Sequence, residues 1–455
     1  MERFKGILNE VNDFLWGPVM ITAITGIGLY LMIKLRFLPI RRLMFGIRNI
    51  MKGDEKSGVS PFSALAMELA CTIGTGNIIG VTGALLLGGP GALLWMNLSA
   101  VVGMATKLAE GSLSVKYQQK NSENQHVGGP MYVARHGLPV KWLGKWLGLG
   151  FAFFCVLSSF GVGNLTQVNS IAGSLRSGLQ IPLIVTGLIV GSLCILILIG
   201  GLNTISQIAC LLVPIMGGIY LLGAFYVIGV NIDRLPQSLY QIVTMAFSPR
   251  ACGGGVAGAG IIMLGRSIRW GVSRGVFSNE AGLGASGISA SSVHTGDFVR
   301  QGYVSMTSVF FDTILICTIT GLALLCSGVL EPFYFSPDGE AAASLTIKAF
   351  ETALGSHGAA FISICISLFA FATIIGWAYQ GERAFEFLVG SSRHNMIYRM
   401  LYALATVFGA VISLDLVWTM ADILNALMAI PNLILLVLLH KEICGDIVLY
   451  EREID

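Results

Sequence analysis

The stretch Cys71-Thr72-Ile73-Gly74-Thr75-Gly76-Asn77-Ile78-Ile79-Gly80 lies inside an apolar segment that is otherwise long enough to span a bilayer. Its three glycines, two threonines and one asparagine would be costly in a continuous helix that faces lipid, so the stretch predicts a broken helix. Irregular backbone at membrane depth is tolerated only where it is buried in protein or lines a wet cavity. There, free carbonyls can hold a cation and the N-terminus of a half-helix can hold an anion. The stretch therefore predicts a site for a zwitterion and an ion.

A glycine-rich run of this kind has two other interpretations. Glycine is common in membrane helices because it lets neighbouring helices pack closely, so the cluster alone does not separate packing from binding. The run is also similar to the glycine loop of dinucleotide-binding domains, but no alternating pattern of soluble strands and helices surrounds it. Packing therefore remains the alternative, and the nucleotide loop is set aside.

The composition of the chain predicts a membrane protein. Of its 455 residues, 54% are apolar and only 12% are charged, whereas soluble domains carry about 25% charged residues. The net charge of +3 gives no reason to expect a nucleic-acid partner. No CxxC pair, HExxH motif or GxxxxGK[ST] nucleotide loop is present, so we expect no cysteine or histidine metal centre, no organic cofactor and no enzyme activity.

Apolar runs long enough to cross a bilayer follow one another along the whole chain. They predict an all-α polytopic membrane protein with about eleven membrane-spanning helices in a single transmembrane domain, 1–455. The predicted spans are 15–36, 62–87, 91–115, 148–172, 181–200, 205–230, 252–290, 303–329, 357–380, 397–414 and 418–440.

The distribution of charge predicts the orientation of the spans. Basic residues concentrate between the first two spans and place this connection in the cytoplasm: Lys34, Arg36, Arg41, Arg42, Arg48, Lys52 and Lys56. Alternation from there places the N-terminus outside and the C-terminus in the cytoplasm. It also places outside the acidic loop with Glu331, Asp338, Glu340 and Glu351.

A second interruption is predicted in span 252–290, at Arg274-Gly275-Val276-Phe277-Ser278-Asn279-Glu280-Ala281-Gly282-Leu283-Gly284. It follows the first by five spans, and because five is odd, the second half must be inverted in the membrane relative to the first. The pattern predicts one extra N-terminal helix (15–36), a five-helix repeat (62–230) and an inverted second repeat (252–440). Broken helices at matching positions in two repeats indicate a transporter binding site. A channel with a filter of backbone carbonyls would more often be built from several identical subunits.

Seven short motifs spread over about residues 15–440 carry a resemblance to a known family. They are TIGTGNIIG (72–80), GGPGALLWM (88–96), GGPMY (128–132), GNLTQVNSIA (163–172), SNEAGLG (278–284), FATIIGWAYQGE (371–382) and NALMAIPN (425–432). In this order they resemble the alanine or glycine:cation (sodium) symporter family. The resemblance implies the inverted-repeat fold of the bacterial leucine transporter with one extra N-terminal helix, in the cytoplasmic (inner) membrane. It also implies import of small neutral amino acids, alanine and glycine above all, with sodium or sometimes protons.

Carried over motif by motif, the resemblance assigns a substrate site. Thr75 and Gly76, at the first break, would present backbone N–H groups and a hydroxyl to the substrate carboxylate. Gln167, in span 148–172, would hydrogen-bond the carboxylate or the ammonium group. Thr373 and Trp377 are four residues apart on one helix face, and they would close the pocket around a methyl-sized side chain.

At the second break, the carbonyls of Gly275, Phe277 and Asn279 are expected to face the ammonium group of the substrate. Three other members of the expected site also have purely structural interpretations: Gln167 as a tie between helices, Trp377 as an interfacial anchor, and Thr373 as a donor to its own backbone.

The coupling ion requires oxygen ligands. Sodium is a hard cation, so carbonyl, hydroxyl and carboxylate oxygens suit it better than cysteine or histidine. By analogy with the leucine transporter fold, one sodium site would use the carbonyl of Thr72 and the side chain of Asn77. A second would use the carbonyls of Ala70 and Ile73 with the Thr373 hydroxyl.

Asp312, in FFDTILICTITG (310–321), is a carboxylate at membrane depth. Such a group is a functional hypothesis by default, here as a sodium ligand or a proton-coupled group, and pairing with a nearby serine or threonine is the structural alternative. Lys107 and Glu110 are three residues apart and could pair on one helix face. Arg274 and Glu280 flank the second break, where a salt bridge could gate the inner side.

The function expected is a secondary active importer of small neutral amino acids that works by alternating access, without an obligate protein partner. A proton-coupled carrier or an exchanger of the same fold is the alternative, and a channel is the more remote one. Two departures from the family pattern leave ion stoichiometry and substrate preference open. Ala285-Ser286-Gly287 stands where Ser-Ala-Pro is expected, and Ala372 stands where serine is usual.

Overall fold

The computed structural model of the chain describes residues 2–52, 59–247, 257–335, 342–412 and 414–454. Lys56, Asp338, Glu340 and the first residues of the predicted span 252–290 lie outside these ranges. The described part is mostly helical. It also contains a two-stranded antiparallel hairpin of β1 (Gln119–Lys120) and β2 (His126–Val127).

The first half of the chain contains thirteen α-helices among the described residues, and the first five of them precede the first break. In order they are α1 (Glu2–Leu15), α2 (Pro18–Lys34), α3 (Leu38–Arg41), α4 (Leu43–Asn49), α5 (Pro61–Thr72), α6 (Ile79–Gly88), α7 (Gly91–Lys116), α8 (Pro130–Gly137), α9 (Lys141–Phe160), α10 (Thr166–Leu179), α11 (Leu183–Ile199), α12 (Gly201–Val230) and α13 (Leu235–Phe247).

The second half contains the longest helices. In order they are α14 (Ala257–Asn279), α15 (Ser286–Ala290), α16 (Phe298–Val309), α17 (Thr318–Ser327), α18 (Ala342–Leu354), α19 (Gly358–Val389), α20 (Asn395–Gly409) and α21 (Leu414–Ile454). Helix α7 packs against α14 and α16, and α10 packs against α19, so the two predicted halves share one buried core.

Seven helical segments among the described residues are long and apolar enough to cross a membrane: Gly6–Lys34, Gly91–Lys116, Lys141–Leu179, Gly201–Val230, Phe298–Ser327, Ala342–Val389 and Trp418–Ile454. Ile79–Gly88 and Leu183–Ile199 are shorter apolar helices. The prediction of a helical, multi-span membrane protein agrees with these segments. The count of eleven stays a prediction. The two pieces of the first broken helix, α5 and α6, are 12 and 10 residues long, and each is too short to cross a bilayer alone.

The first broken helix lies where the sequence predicts it. Helix α5 ends at Thr72, a 3-10 turn spans Thr75–Asn77, and α6 begins at Ile79. The Asn77 side chain closes the turn, because its Oδ1 accepts a hydrogen bond from the Gly74 N–H at 2.8 Å. A buried amide thus satisfies a backbone donor that the interruption leaves without a helical partner.

The second interruption begins later than the start of the predicted stretch 274–284 and overlaps its second half. Helix α14 continues to Asn279, and residues 280–285 form the non-helical segment before α15. Gly275 and Phe277 therefore lie inside α14, and the predicted position of the break at these residues was wrong. Gly275 serves close helix packing instead: a Cβ there would lie 2.7 Å from Ser99 Oγ on α7.

Side chains of α7 and α21 hold the second interruption. Glu110 Oε1 accepts hydrogen bonds from the Gly282 N–H at 3.0 Å and from the Asn432 amide at 2.6 Å. Asn432 also donates to the Gly282 carbonyl at 2.9 Å. Lys107, one turn before Glu110, donates to Ser286 Oγ at the start of α15. The sequence suggested an ion pair between Lys107 and Glu110. In the structure both side chains contact the second break.

Two helices widen locally into π-helical turns, Gly161–Leu165 between α9 and α10 and Phe310–Cys317 between α16 and α17. Such turns shift the hydrogen-bonding register of a helix and are frequent at functional sites. The first turn immediately precedes Thr166 and Gln167, and the second contains Asp312. The first turn therefore adjoins, and the second contains, a residue that the sequence singles out.

Candidate functional site

Gln167 connects α10 to the first break. Its Oε1 accepts hydrogen bonds from the Thr75 backbone N–H at 3.3 Å and from the Thr75 hydroxyl at 3.1 Å. Its Nε2 donates to the Val162 carbonyl, inside the π-helical turn, at 3.0 Å. All three residues are buried. Two donors of the break converge on a single acceptor oxygen, and a carboxylate oxygen could accept from the same donors.

Thr373, on α19, lies beside the end of α5. Its hydroxyl is within hydrogen-bonding distance of the Phe369 carbonyl on its own helix, at 3.2 Å, and of the Ile73 carbonyl, at 3.4 Å. The backbone contact considered as the structural alternative therefore exists together with the contact to the break. Ala70, one turn before Ile73, packs against Gly376 on α19. The three residues predicted for the second sodium site thus lie close together.

Trp377 is fully buried, so it is not an interfacial anchor. Its Nε1 donates a hydrogen bond to Glu280 Oε1, in the second break, at 2.9 Å. A Cβ at Gly163 would overlap Trp377 Cβ, so the π-helical turn approaches this side chain as closely as its backbone allows. Trp377 is held between the second break and the turn that precedes Gln167.

Asp312 lies at the centre of a cluster of polar side chains. Its Oδ1 accepts a hydrogen bond from the Asn77 amide at 2.7 Å, which connects it to the first break. Its Oδ2 accepts from Ser278, near the end of α14, at 2.8 Å and from the neighbouring Thr313 hydroxyl at 2.7 Å. Thr313 in turn accepts from the Asn279 amide at 3.1 Å. Asp312 thus joins both broken segments to the second π-helical turn.

The atoms in this region are those that suit sodium. Around the first break lie the Asn77 amide oxygen, the Asp312 carboxylate to which the Asn77 nitrogen donates, and the Ile73 carbonyl with the Thr373 hydroxyl. The Thr72 hydroxyl is buried with no hydrogen-bond partner among the described residues. These are oxygen donors of the type that a hard cation prefers. The first predicted sodium site, the Thr72 carbonyl and the Asn77 side chain, stays a prediction, as does the separate one of Asp312 as a sodium ligand.

Of the three residues predicted at the second break, Phe277 and Asn279 reach the candidate site and Gly275 does not. The Phe277 ring lies near Gly76, since a Cβ at Gly76 would be 3.5 Å from Phe277 Cδ1. Asn279 joins the Asp312 cluster through Thr313. Gly275, by contrast, faces α7 and does not reach the first break.

The salt bridge considered between Arg274 and Glu280 does not form in the structure. Arg274 lies 3.7 Å from a carboxylate oxygen of Asp422, and its guanidinium stacks 5.5 Å from the ring of Trp418. Glu280 points to Trp377 instead. Arg274 lies within α14, whereas Glu280 is the first residue of the non-helical segment that follows it.

Sequence reasoning gave no role to Gly163, Ser278 and Thr313. It placed Glu280 at the second break in a salt bridge with Arg274, whereas Glu280 accepts a hydrogen bond from Trp377. Ser278 and Glu280 belong to the SNEAGLG motif, so the motif itself was the available signal. Thr313 follows the conspicuous Asp312, and Gly163 precedes Gln167 within GNLTQ. Their roles depend on which helices meet, and local sequence does not record this.

Comparison with known proteins identifies the family. A family model described as the sodium:alanine symporter family matches residues 1–455. The chain belongs to this family. It is 41% identical to the sodium/alanine symporter AgcS of Methanococcus maripaludis over 97% of this chain and 96% of that one. It is 34% identical to a probable sodium/glutamine symporter, GlnT of Bacillus subtilis, over 100% of this chain and 91% of that one.

A solved structure shares the fold. MhsT in complex with L-phenylalanine superposes with a TM-score of 0.60 at 13% identity, over 85% of this chain and 90% of that one. At this identity the likeness shows the fold alone, which is that of the leucine-transporter class. Family and fold together make this chain an integral membrane transporter and not an enzyme. They support sodium coupling and an amino acid as the transported substrate.

Proposed function

We propose that the protein imports small neutral amino acids, alanine and glycine above all, together with sodium, by alternating access around the first break. The observation that carries this proposal is the convergence of the Thr75 N–H and hydroxyl on Gln167 Oε1. These donors stand just before the start of a half-helix, where the helix dipole favours an anion. The substrate carboxylate would take the position of the Gln167 oxygen, with Gly76 beside it.

The size of the transported side chain would be set by Trp377. This side chain is buried and fixed from two directions, by its hydrogen bond to Glu280 and by the close approach of Gly163. A wall that cannot shift leaves room for a methyl group or a hydrogen atom and excludes longer chains. Thr373, one turn before Trp377, would close the pocket on the side of the sodium ions.

The ammonium group of the substrate would lie toward the second break. Phe277 and Asn279 reach the region of the first break and Asp312, whereas Gly275 does not. We therefore place the ammonium near the carbonyl end of α14, where a helix C-terminus favours positive charge. Gly275 is kept out of this proposal because its surroundings are those of a packing glycine.

Sodium would bind at the two places where oxygen atoms gather at the first break. One site would use the Thr72 carbonyl with the Asn77 and Asp312 side chains, and the other the Ala70 and Ile73 carbonyls with the Thr373 hydroxyl. Proton coupling is the alternative, with Asp312 as the carrier. A larger amide substrate is a second alternative, because the GlnT relative is described as a probable glutamine symporter.

The proposed architecture is an inverted repeat of residues 62–230 and 252–440, preceded by the extra helix 15–36. It is supported by two broken helices that both contact Asp312, through Asn77 at the first break and Ser278 near the end of α14. We propose an outside N-terminus and a cytoplasmic C-terminus in the inner membrane, from the basic connection between α2 and α5.

Binding measurements on the purified protein test this proposal. Because coupling between two ligands is reciprocal, sodium should tighten alanine binding and alanine should tighten sodium binding by the same factor. Titration calorimetry with L-alanine, at several sodium concentrations with choline as replacement, measures both. Equal alanine affinity with and without sodium at fixed pH would contradict sodium coupling. Tight glutamine binding with weak alanine binding would favour the amide substrate.

A further inference from the structure

A basic cavity lies between α8, α9 and the end of α19, apart from the substrate site. Its volume is 510 Å³, within the range of small-molecule sites, which is about 300–1,000 Å³. The residues that line it are Arg135, His136, Lys141, Lys145, Leu149 and Phe387. Among these described residues four are basic and none is acidic, so the cavity suits an anion.

Two of the basic side chains at this cavity, Arg135 and Lys141, contact uncharged groups. The Arg135 guanidinium lies 5.8 Å from the centre of the Phe387 ring, and Lys141 Nζ lies 3.5 Å from the Leu138 carbonyl oxygen. Burial lowers the pKa of His136, and the positive charges of Arg135 and Lys141 lower it further. An anion placed among these groups would remove that repulsion.

Helix α9 presents an apolar face next to the cavity. Trp142, Trp146, Phe153 and Leu157 lie on one side of the helix, and 68%, 67%, 52% and 37% of their surfaces are exposed. Exposed tryptophans of this kind are typical of the boundary between lipid headgroups and acyl chains. Lys141 and Lys145 flank this face at its N-terminal end, and Leu149 continues it into the span. Along α9 the surface thus changes from lysines and tryptophans together at the N-terminal end to purely apolar side chains further along the helix.

We propose that this basic cavity binds the phosphate headgroup of an anionic phospholipid whose acyl chains lie along the exposed face of α9. The order of chemistry along the helix is that of a phospholipid entering a leaflet, and a free anion would use only the basic part. The inner leaflet follows from the orientation in the proposed function, whereas the lipid site itself does not depend on sodium or alanine. Basic pockets between helices on the cytoplasmic side are suited to anionic headgroups.

The test is lipid binding to the full-length protein in detergent, followed by native mass spectrometry without sodium or amino acid. Phosphatidylglycerol is titrated against the wild type and the Lys141→Gln/Lys145→Gln variant. We expect the variant to lose about 30-fold in affinity for the first bound phosphatidylglycerol, the effect expected for two lysines near an anionic membrane surface. Lys141→Arg/Lys145→Arg keeps the charge and should bind like the wild type.

Three controls distinguish this site from general attraction. Lys120→Gln/Arg452→Gln removes two exposed charges elsewhere and should bind phosphatidylglycerol like the wild type. Phosphatidylcholine should bind at least tenfold more weakly than phosphatidylglycerol, and inorganic phosphate should compete only at far higher concentration.

Unchanged binding by the Lys141→Gln/Lys145→Gln variant would overturn the proposal, as would equal loss in the charge-matched control. Competition by phosphate at the same concentration as the lipid would assign the cavity to free anions instead. Because no transport is measured, failure here leaves the proposed transport function standing.

Discussion

Trp377 Nε1 donates a hydrogen bond to Glu280 Oε1 at 2.9 Å, and both side chains are buried. This contact joins the middle of α19 to the second break, so the proposed wall of the pocket and one of the two broken helices are mechanically connected. The other oxygen of Glu280 has no hydrogen-bond partner among the described residues. Any change of Trp377 therefore affects both the shape of the pocket and the satisfaction of a buried carboxylate.

Replacement of Trp377 should change selectivity. In Trp377→Ala the pocket loses its wall, and we expect leucine and methionine to compete with labelled alanine, which they should not do in the wild type. A Trp377→Phe variant keeps most of the ring and should retain the exclusion of large side chains, although it loses the hydrogen bond to Glu280. If leucine and methionine still fail to compete in Trp377→Ala, Trp377 does not limit substrate size.

Loss of the Thr75 hydroxyl should weaken substrate binding. Thr75→Val leaves an oxygen of the buried carboxylate short of a donor, and we expect a loss of about 1–3 kcal/mol in alanine binding, measured by calorimetry. Thr75→Ser should restore most of the affinity. Thr82, whose hydroxyl lies 2.6 Å from that of Thr346 on α18, provides a matched control on α6, the half-helix that follows the break, and Thr82→Val should leave alanine affinity unchanged. Equal affinities in Thr75→Val and the wild type would remove Thr75 from the site.

Neutralisation of Asp312 should weaken the response to sodium. Asp312→Asn keeps the size of the side chain but removes the negative charge, and an interaction with a charged group contributes about 1.5–3 kcal/mol. We expect the sodium concentration for half-maximal alanine binding to rise about tenfold or more. Asp297→Asn, at the start of α16, is the control and should leave this concentration unchanged. A sodium response that Asp312→Asn does not alter would exclude Asp312 as a ligand.

A methyl group at Gly163 should displace Trp377, the proposed wall of the pocket. Because a Cβ at this position overlaps Trp377 Cβ, Gly163→Ala should cost about 1–3 kcal/mol of stability and reduce alanine affinity. Gly150, on α9 before the π-helical turn, has open space around it, so Gly150→Ala should be neutral or slightly stabilising. Thermal unfolding in detergent compares the two. Equal melting temperatures would show that Trp377 can move away at no cost.

The hairpin of β1 and β2 should make stability depend on pH. His126 Nε2 lies 2.7 Å from His294 Nδ1, and burial, together with the positive charges of His294 and Lys120, lowers the pKa of His126. The unfolded chain therefore binds a proton at a higher pH than the folded chain does. The stability from this pair is complete above about pH 6.5 and is lost as the pH falls below it.

The difference in melting temperature between the wild type and His126→Gln measures this effect. Between pH 7.5 and pH 5.5 the wild type should lose stability relative to the variant, which has no group that titrates at residue 126. A difference that stays constant over this range would show that His126 titrates alike in the folded and unfolded chains.

The first break could be located from the sequence because its signal is local. Glycines and hydroxyls between Cys71 and Gly80 interrupt an apolar run, and the helix stops there. Gly275 gave a similar local signal, but it permits close packing against α7. The second interruption starts at Glu280 instead. A glycine that permits close packing and one that permits a break look the same in a sequence.

Asp312 was conspicuous because it is a carboxylate in an apolar run. Its partners could not be predicted in the same way, since Ser278 and Asn77 come from helices far apart in the chain. The same holds for Glu280 and Trp377, whose contact depends on how α19 packs against the second break. Which polar groups meet is a property of the tertiary packing.

Uptake of labelled L-alanine into proteoliposomes tests the central claim most directly. It is measured with an inward sodium gradient and then with choline in place of sodium at the same pH. We predict saturable accumulation with sodium and none with choline. Equal accumulation in both conditions would contradict sodium-coupled import and would direct attention to proton coupling at Asp312.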